Sequence, residues 1–193
     1  MAVDPSCFQL LNVADTCSIW NILSSKLFYC ATVSAKCSFS CTQFVYYECL
    51  VKQRREISDE EIELQSRLRK EMAKGQFINY HISIEDLQDI EILQKRKNLS
   101  KGELSSIVFA RKNRQALLTD DQGARKLAEQ VMDKKSVQTT PHLLGWLFYA
   151  DFLRDGDKDK IIEEHIFFKR PLAKYFRETY IKALECKLAK TFG

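Results

Sequence analysis

Two hydrophobic rhythms take turns along this chain. Residues 9–14 (QLLNVA) form a short apolar run that stops at Asp15, the signature of a strand. Beyond it Ile19, Ile22, Leu23, Leu27 and Phe28 recur at helical spacing, predicting one helix to about Tyr29. Residues 31–40 (ATVSAKCSFS) are small and β-branched and contain a second strand; Thr42 then suits the N-cap of a helix over TQFVYYECLVK. Ser58 opens SDEE, with acids first and Arg67, Arg69 and Lys70 later, as a helix dipole favours. From Lys52 to Lys74 there are 7 basic and 6 acidic residues, so this helix reads as a solvated arm ended by Gly75.

Residues 76–82 (QFINYHI) alternate as a strand, and 83–93 (SIEDLQDIEIL) follow as a helix with a Ser83–Asp86 capping box. His81, near the strand's end, reads as a structural histidine. A basic connection carries Lys95, Arg96, Lys97 and Lys101. Ser100 and Glu103 match a second capping box, before a helix whose Leu104, Ile107, Val108 and Ala110 face a core. QALL, ending at Leu118, is the next strand; Thr119, Asp120 and Asp121 follow, then a helix carrying Leu127, Ala128 and Val131. Residues 137–140 make one more short strand, and Pro141 opens an apolar helix, HLLGWLFYADFL, broken by Asp155–Gly156–Asp157. The remainder ends in a long helix from near Pro171.

Strand and helix alternating from residue 9 to about 154 predict an α/β domain on a mostly parallel sheet. The 193 residues are enough for one substantial core, and 3 prolines and 6 glycines argue against a many-stranded sandwich. A net charge of +4 is compatible with nucleic acid without demanding it. The first thirty residues lack a basic leader and no run reaches a membrane-span length, so the expectation is a soluble, cytoplasmic protein without a membrane partner. Seven cysteines, with Cys30, Cys37, Cys41 and Cys49 close together, lack the CxxC spacing of zinc sites and read as buried thiols.

The acids carry the chemistry. Asp15 follows the first strand, and Asp120 and Asp121 follow a later one, at the sheet edge where ligands bind. Glu103 begins a helix beside them, and Glu48 stands among Tyr46, Tyr47, Cys49 and Leu50. Each has a plainer reading: Asp15 and Glu103 as helix caps, Glu48 in a salt bridge. Four or five carboxylates without a histidine pair otherwise indicate a hard oxygen-ligand site for Mg²⁺ or Mn²⁺, the usual setting for metal-assisted phosphodiester hydrolysis.

In their order, VADTCSIWNIL, VYYE, KGELSSIVFA and LLTDDQGARKLA, with TTPHLLGWLF after them, resemble the PIN-domain nucleases, most of all the small prokaryotic branch of VapC-like toxins. The resemblance implies a three-layer α/β/α PIN-like domain over residues 1–155 and a helical C-terminal extension over 156–193 packed on it. It implies a metal-dependent endoribonuclease, a toxin of a toxin–antitoxin pair or a defence nuclease, acting on single-stranded or structured RNA. Asp15, Glu48, Glu103, Asp120 and Asp121 would be the catalytic and metal-binding acids, with Thr16, Ser18 and Thr119 as substrate or phosphate contacts. An antitoxin protein and a second copy of the chain are the implied partners. Lys169, Arg170, Lys174, Arg177 and Lys182, beside Phe167, Phe168, Tyr175 and Phe176, would give the extension a basic edge for a partner or nucleic acid; the plainer reading is a solvated face over a stripe of Leu172, Phe176, Tyr180 and Leu184. The alternative from another class is a catalytically inactive PIN-like scaffold that binds RNA or a protein.

Overall fold

The computed structural model describes residues 4–53, 56–95 and 97–192; Arg96 of the basic connection and Arg54 and Arg55 of the charged stretch lie outside it. Five parallel strands form the sheet: β1 (Leu11–Ala14), β2 (Ser38–Thr42), β3 (Ile78–Tyr80), β4 (Ala116–Leu118) and β5 (Val137–Gln138). Their order is β3-β2-β1-β4-β5, so the chain winds outward from β1 on one side and then returns to its other side. Val13 pairs with Ser40 of β2 and with Leu117 of β4. The order therefore switches direction between β1, the central strand, and β4, where a crevice is expected beyond their carboxyl ends.

Strand pleating divides the core. Ala14 and Leu118 face one buried cluster while Val13 and Leu117, their neighbours in sequence, face another. The second cluster is covered by α5 (Ile84–Gln94), α6 (Lys101–Asn113) and α7 (Gln122–Val131). The first is covered by α1 (Thr16–Ser24), α2 (Lys26–Ser34), α3 (Gln43–Leu50), α4 (Asp59–Ala73), α8 (Thr140–Tyr149), α9 (Asp157–Phe167) and α10 (Ala173–Phe192). This is the expected three-layer α/β/α arrangement. Ile161, Ile162, Phe168, Leu172, Phe176 and Ala183 of the C-terminal segment share the first cluster with the sheet.

Four local expectations change. The helix predicted from Thr16 to Tyr29 is two helices, because Ser25 is extended (φ −119°, ψ 121°) and caps α2 by accepting from the Phe28 N–H. The apolar stripe stays continuous because both helices lie on one core. The second strand starts only at Ser38, since 31–34 complete α2. The charged α4 is no solvated arm: Leu64 and Leu68, one turn apart, are fully buried. Arg67 beside them donates from Nη1 to the Leu23 carbonyl at 2.8 Å, satisfying an end of α1, and lies 4.7 Å from the Phe168 ring centre. The apolar α8 ends at Tyr149, before a left-handed Asp151 (φ 63°), and Asp155–Gly156–Asp157 begins α9 instead of breaking α8. Among the described residues, no helix is long and apolar enough to cross a membrane.

Candidate active site

Asp15 and Asp120 stand at the carboxyl ends of β1 and β4, across the switch in strand order. The Asp15 N–H donates to the Leu118 carbonyl at 3.2 Å, carrying the ladder one residue beyond the strands. The Asp15 side chain is 2% exposed. Its Oδ1 accepts from the Ser18 N–H at 2.8 Å, capping α1, and its Oδ2 accepts from the Thr119 hydroxyl at 2.6 Å. Burial, reinforced by the nearby charge of Asp120, pushes the Asp15 pKa up to about 7 against those hydrogen bonds.

Asp120 is held from the other side. Its Oδ1 accepts from the Thr140 N–H at 2.9 Å, and its Oδ2 accepts from the Asn21 amide at 2.8 Å and the Thr140 hydroxyl. Burial raises its pKa too, opposed by Thr140, Asn21 and the charge of Arg125. Asn21 is in turn fixed by the C-terminal segment: its carbonyl lies 2.7 Å from Nε2 of His165, a fully buried α9 residue.

The two glutamates expected at the site lie on helices, Glu48 on α3 and Glu103 in the first turn of α6. Glu48 accepts from the Thr16 hydroxyl at 2.6 Å and from the Gly102 N–H at 3.2 Å. Gly102 lets the Glu48 carboxylate sit there, since a Cβ on it would lie 2.5 Å from Glu48 Oε2 and push that side chain aside. Glu103 closes the predicted capping box, accepting from the Ser100 N–H at 2.8 Å. Cys17, on the first turn of α1, is exposed, although partial desolvation and the charges of Asp15, Asp120 and Glu103 raise its thiol pKa, with Arg170 of the basic tail acting the other way. Asp121 is turned to α7, accepting from the Ala124 N–H at 2.7 Å.

Of the three hydroxyl residues expected to face substrate, Thr16 and Thr119 donate to Glu48 and Asp15, and Ser18 Oγ is buried without a hydrogen-bond partner among the described residues. Asn21, Thr140, Gly102 and Cys17 were not anticipated as site residues. A polar Asn21 inside the stripe Ile19, Ile22, Leu23 was the available signal for one of them. Elsewhere, His81 Nδ1 lies 3.0 Å from the Gln43 amide oxygen, and Cys37, Cys41 and Cys49 sit in the core as expected, whereas Cys30 of the same cluster, with Cys7 and Cys17, is exposed rather than buried; all seven are free thiols. The tail's basic edge is partly neutralised: Lys169 pairs with Glu60 at 2.7 Å and Lys174 with Glu178 at 3.9 Å. Phe176 and Phe168 of that edge are buried in the core, whereas Phe167 and Tyr175 are exposed.

Among the described residues, no three His, Cys, Asp or Glu side chains are grouped closely enough to hold a metal ion as they stand. The donors nevertheless fit a hard divalent cation in kind: they are carboxylates, two of them buried and repelling each other, without a competing imidazole or thiolate set. Closing them around an ion requires some of their present hydrogen bonds to be exchanged. A groove of about 650 Å³ runs along the β5 edge and carries four cations, Arg125, Lys126, Lys134 and Lys135, against two acids, Asp4 and Glu129, an excess of positive charge suited to a phosphate backbone.

No curated protein and no solved structure matched the chain. A family model described as a PIN domain matches residues 34–132, just over half of the chain, and takes in Glu48, Glu103, Asp120 and Asp121. The switch-point acids, the parallel sheet and this match agree, and the chain belongs to the PIN-domain family, whose members are generally nucleases that work with divalent metals.

Proposed function

We propose that this protein is a metal-dependent endoribonuclease, with Asp15, Glu48, Glu103 and Asp120 as the acids that hold Mg²⁺ or Mn²⁺. The observation that carries the reading is the pair Asp15 and Asp120, 105 residues apart in sequence, at the ends of the neighbouring strands β1 and β4 and both driven toward higher pKa. Bound divalent ions supply Lewis-acid stabilisation of the phosphate and an acidified water. The chain's own residues do the rest. Thr119 and Ser18 fix Asp15, Thr140 and Asn21 fix Asp120, and Thr16 with the Gly102 N–H fixes Glu48. Of the aspartate pair, Asp120 is the ligand in this reading and Asp121 the α7 cap. Arg125 and the lysines of the β5-side groove hold the RNA backbone.

Within the same reading the chain sits in the VapC-like branch and works in the cytoplasm as the toxin of a pair, held by an antitoxin, or as a defence nuclease. The test is cleavage of a varied set of single-stranded RNAs by purified protein with Mg²⁺ or Mn²⁺. Wild type cuts, and Asp15→Asn and Asp120→Asn do not; retained cutting by either variant refutes the assignment. A specific observation favours the second reading, a scaffold that binds without cutting: each of these acids already has hydrogen-bond partners within the protein. Calorimetric titration separates the two, since a scaffold shows no Mn²⁺ binding at millimolar concentration.

A further inference from the structure

A second groove, of about 830 Å³, adjoins the acids on the side opposite Arg125. Its wall is α3, and the reason is the spacing of that helix. Only Val45 and Cys49 of α3 are buried in the core. Phe44, Tyr47, Glu48 and Val51 fall at i, i+3, i+4 and i+7, so they share one face, and all four line the groove. Glu48 thus belongs both to this face and, through Thr16, to the acid set.

Phe44 packs partly on the second core cluster, which leaves one exposed ring on this face to explain. Tyr47 is 51% exposed, and no ring–ring contact or ion pair covers it among the described residues. Lys52 and Lys101 line the same groove and make no ion pair among the described residues. An apolar peptide would leave the two cations unmatched. An unpaired nucleotide matches both elements: a flat ring for tyrosine and an anion for lysine.

We propose that this groove binds an unpaired nucleobase of the RNA strand adjacent to the bond being cut, stacked on Tyr47 with its phosphate held by Lys52 and Lys101. The proposal rests on the endoribonuclease reading for the position of the cut, and it adds a reason for single-strand selectivity. A base in a duplex is stacked on its neighbours and cannot also lie against Tyr47, so paired RNA binds poorly here.

The test is fluorescence polarisation of labelled RNA of about ten nucleotides with the full chain in EDTA, where no cleavage intervenes. Tyr47→Ala is expected to weaken binding about tenfold, Tyr47→Phe to bind like wild type, and Lys101→Ala to lower the salt slope by about one. Against a strand of abasic nucleotides, wild type and Tyr47→Ala are expected to bind equally. Unchanged binding by a Tyr47→Ala protein that melts like wild type overturns the proposal, as does an equal loss on normal and abasic strands. The two readings fail separately. Cleavage that persists while binding ignores Tyr47 removes the groove; Tyr47-dependent binding without any cleavage removes the nuclease.

Discussion

Replacing Asp15 by asparagine should make the protein more stable while abolishing cleavage. The carboxylate is almost wholly buried, and its folded pKa is raised from 3.8 to about 7. Between those values the native state holds a proton that the unfolded chain has released, so stability falls as pH rises from about 4 to 7. The full difference at pH 8 is about 4 kcal/mol, taking about 1.4 kcal/mol per pH unit. Asparagine keeps the shape of the protonated acid: its Oδ1 still accepts from the Ser18 N–H, and its amide faces the Thr119 hydroxyl, which accepts as readily as it donates. Asp15→Asn should therefore match wild type at pH 4 and exceed it by up to about 4 kcal/mol at pH 8, or roughly 8–16 °C in Tm for a chain of this size. Chemical denaturation of both proteins in EDTA across that range measures the gap. A variant less stable than wild type at pH 8, or a gap that does not change with pH, refutes the view of Asp15 as a buried charge held against its preference. Mn²⁺ should raise the stability of wild type at pH 8 and leave the variant nearly unmoved.

Further outcomes follow from the neighbours. Gly102→Ala drives a Cβ into the Glu48 carboxylate, so cleavage should fall sharply while denaturation shifts by about 1 kcal/mol or less, a split read from activity and melting together. Thr140→Val removes a hydroxyl donor to Asp120, raising a pKa that is already elevated; the acid limb of the pH–rate profile should move to higher pH, and an unmoved limb contradicts the role given to Asp120. Arg67→Ala removes the bond to the Leu23 carbonyl and the contact over Phe168, and should destabilise by about 1–3 kcal/mol in urea titration without altering RNA affinity.

The sequence made the strand–helix alternation legible because the strands are short runs bounded by turn and capping residues, and most helices open on a capping side chain. Thr42, Ser58, Ser83 and Ser100 all cap where their positions predict. What it did not carry is where a regular pattern is interrupted without a change of rhythm. The break at Ser25 lies inside one apolar stripe because α1 and α2 face the same core, and periodicity is blind to it. The burial of α4 was hidden by charge density, although two leucines a turn apart suffice to dock a helix and Arg67 does so with its own cation. At the site, the acids were visible and their supports were not: Thr140 reaches Asp120 across twenty residues and Asn21 across ninety-nine, separations at which no local pattern speaks.

Helix capping accounts for some of these carboxylates and fails for one, and magnitude decides which. Glu103 and Asp121 begin partly exposed helices, where a cap is worth about 1 kcal/mol and a carboxylate also favours the helix dipole. Asp15 caps α1 as well, but in a setting where ionisation costs about 4 kcal/mol at pH 8. Serine or asparagine would provide the same cap without that cost. In the proposed nuclease, an ionisable group held at a loss several times its local benefit, beside a second acid at the sheet's switch point, is what a cation arriving from outside the chain would offset, so that stability at this position is given up for charge.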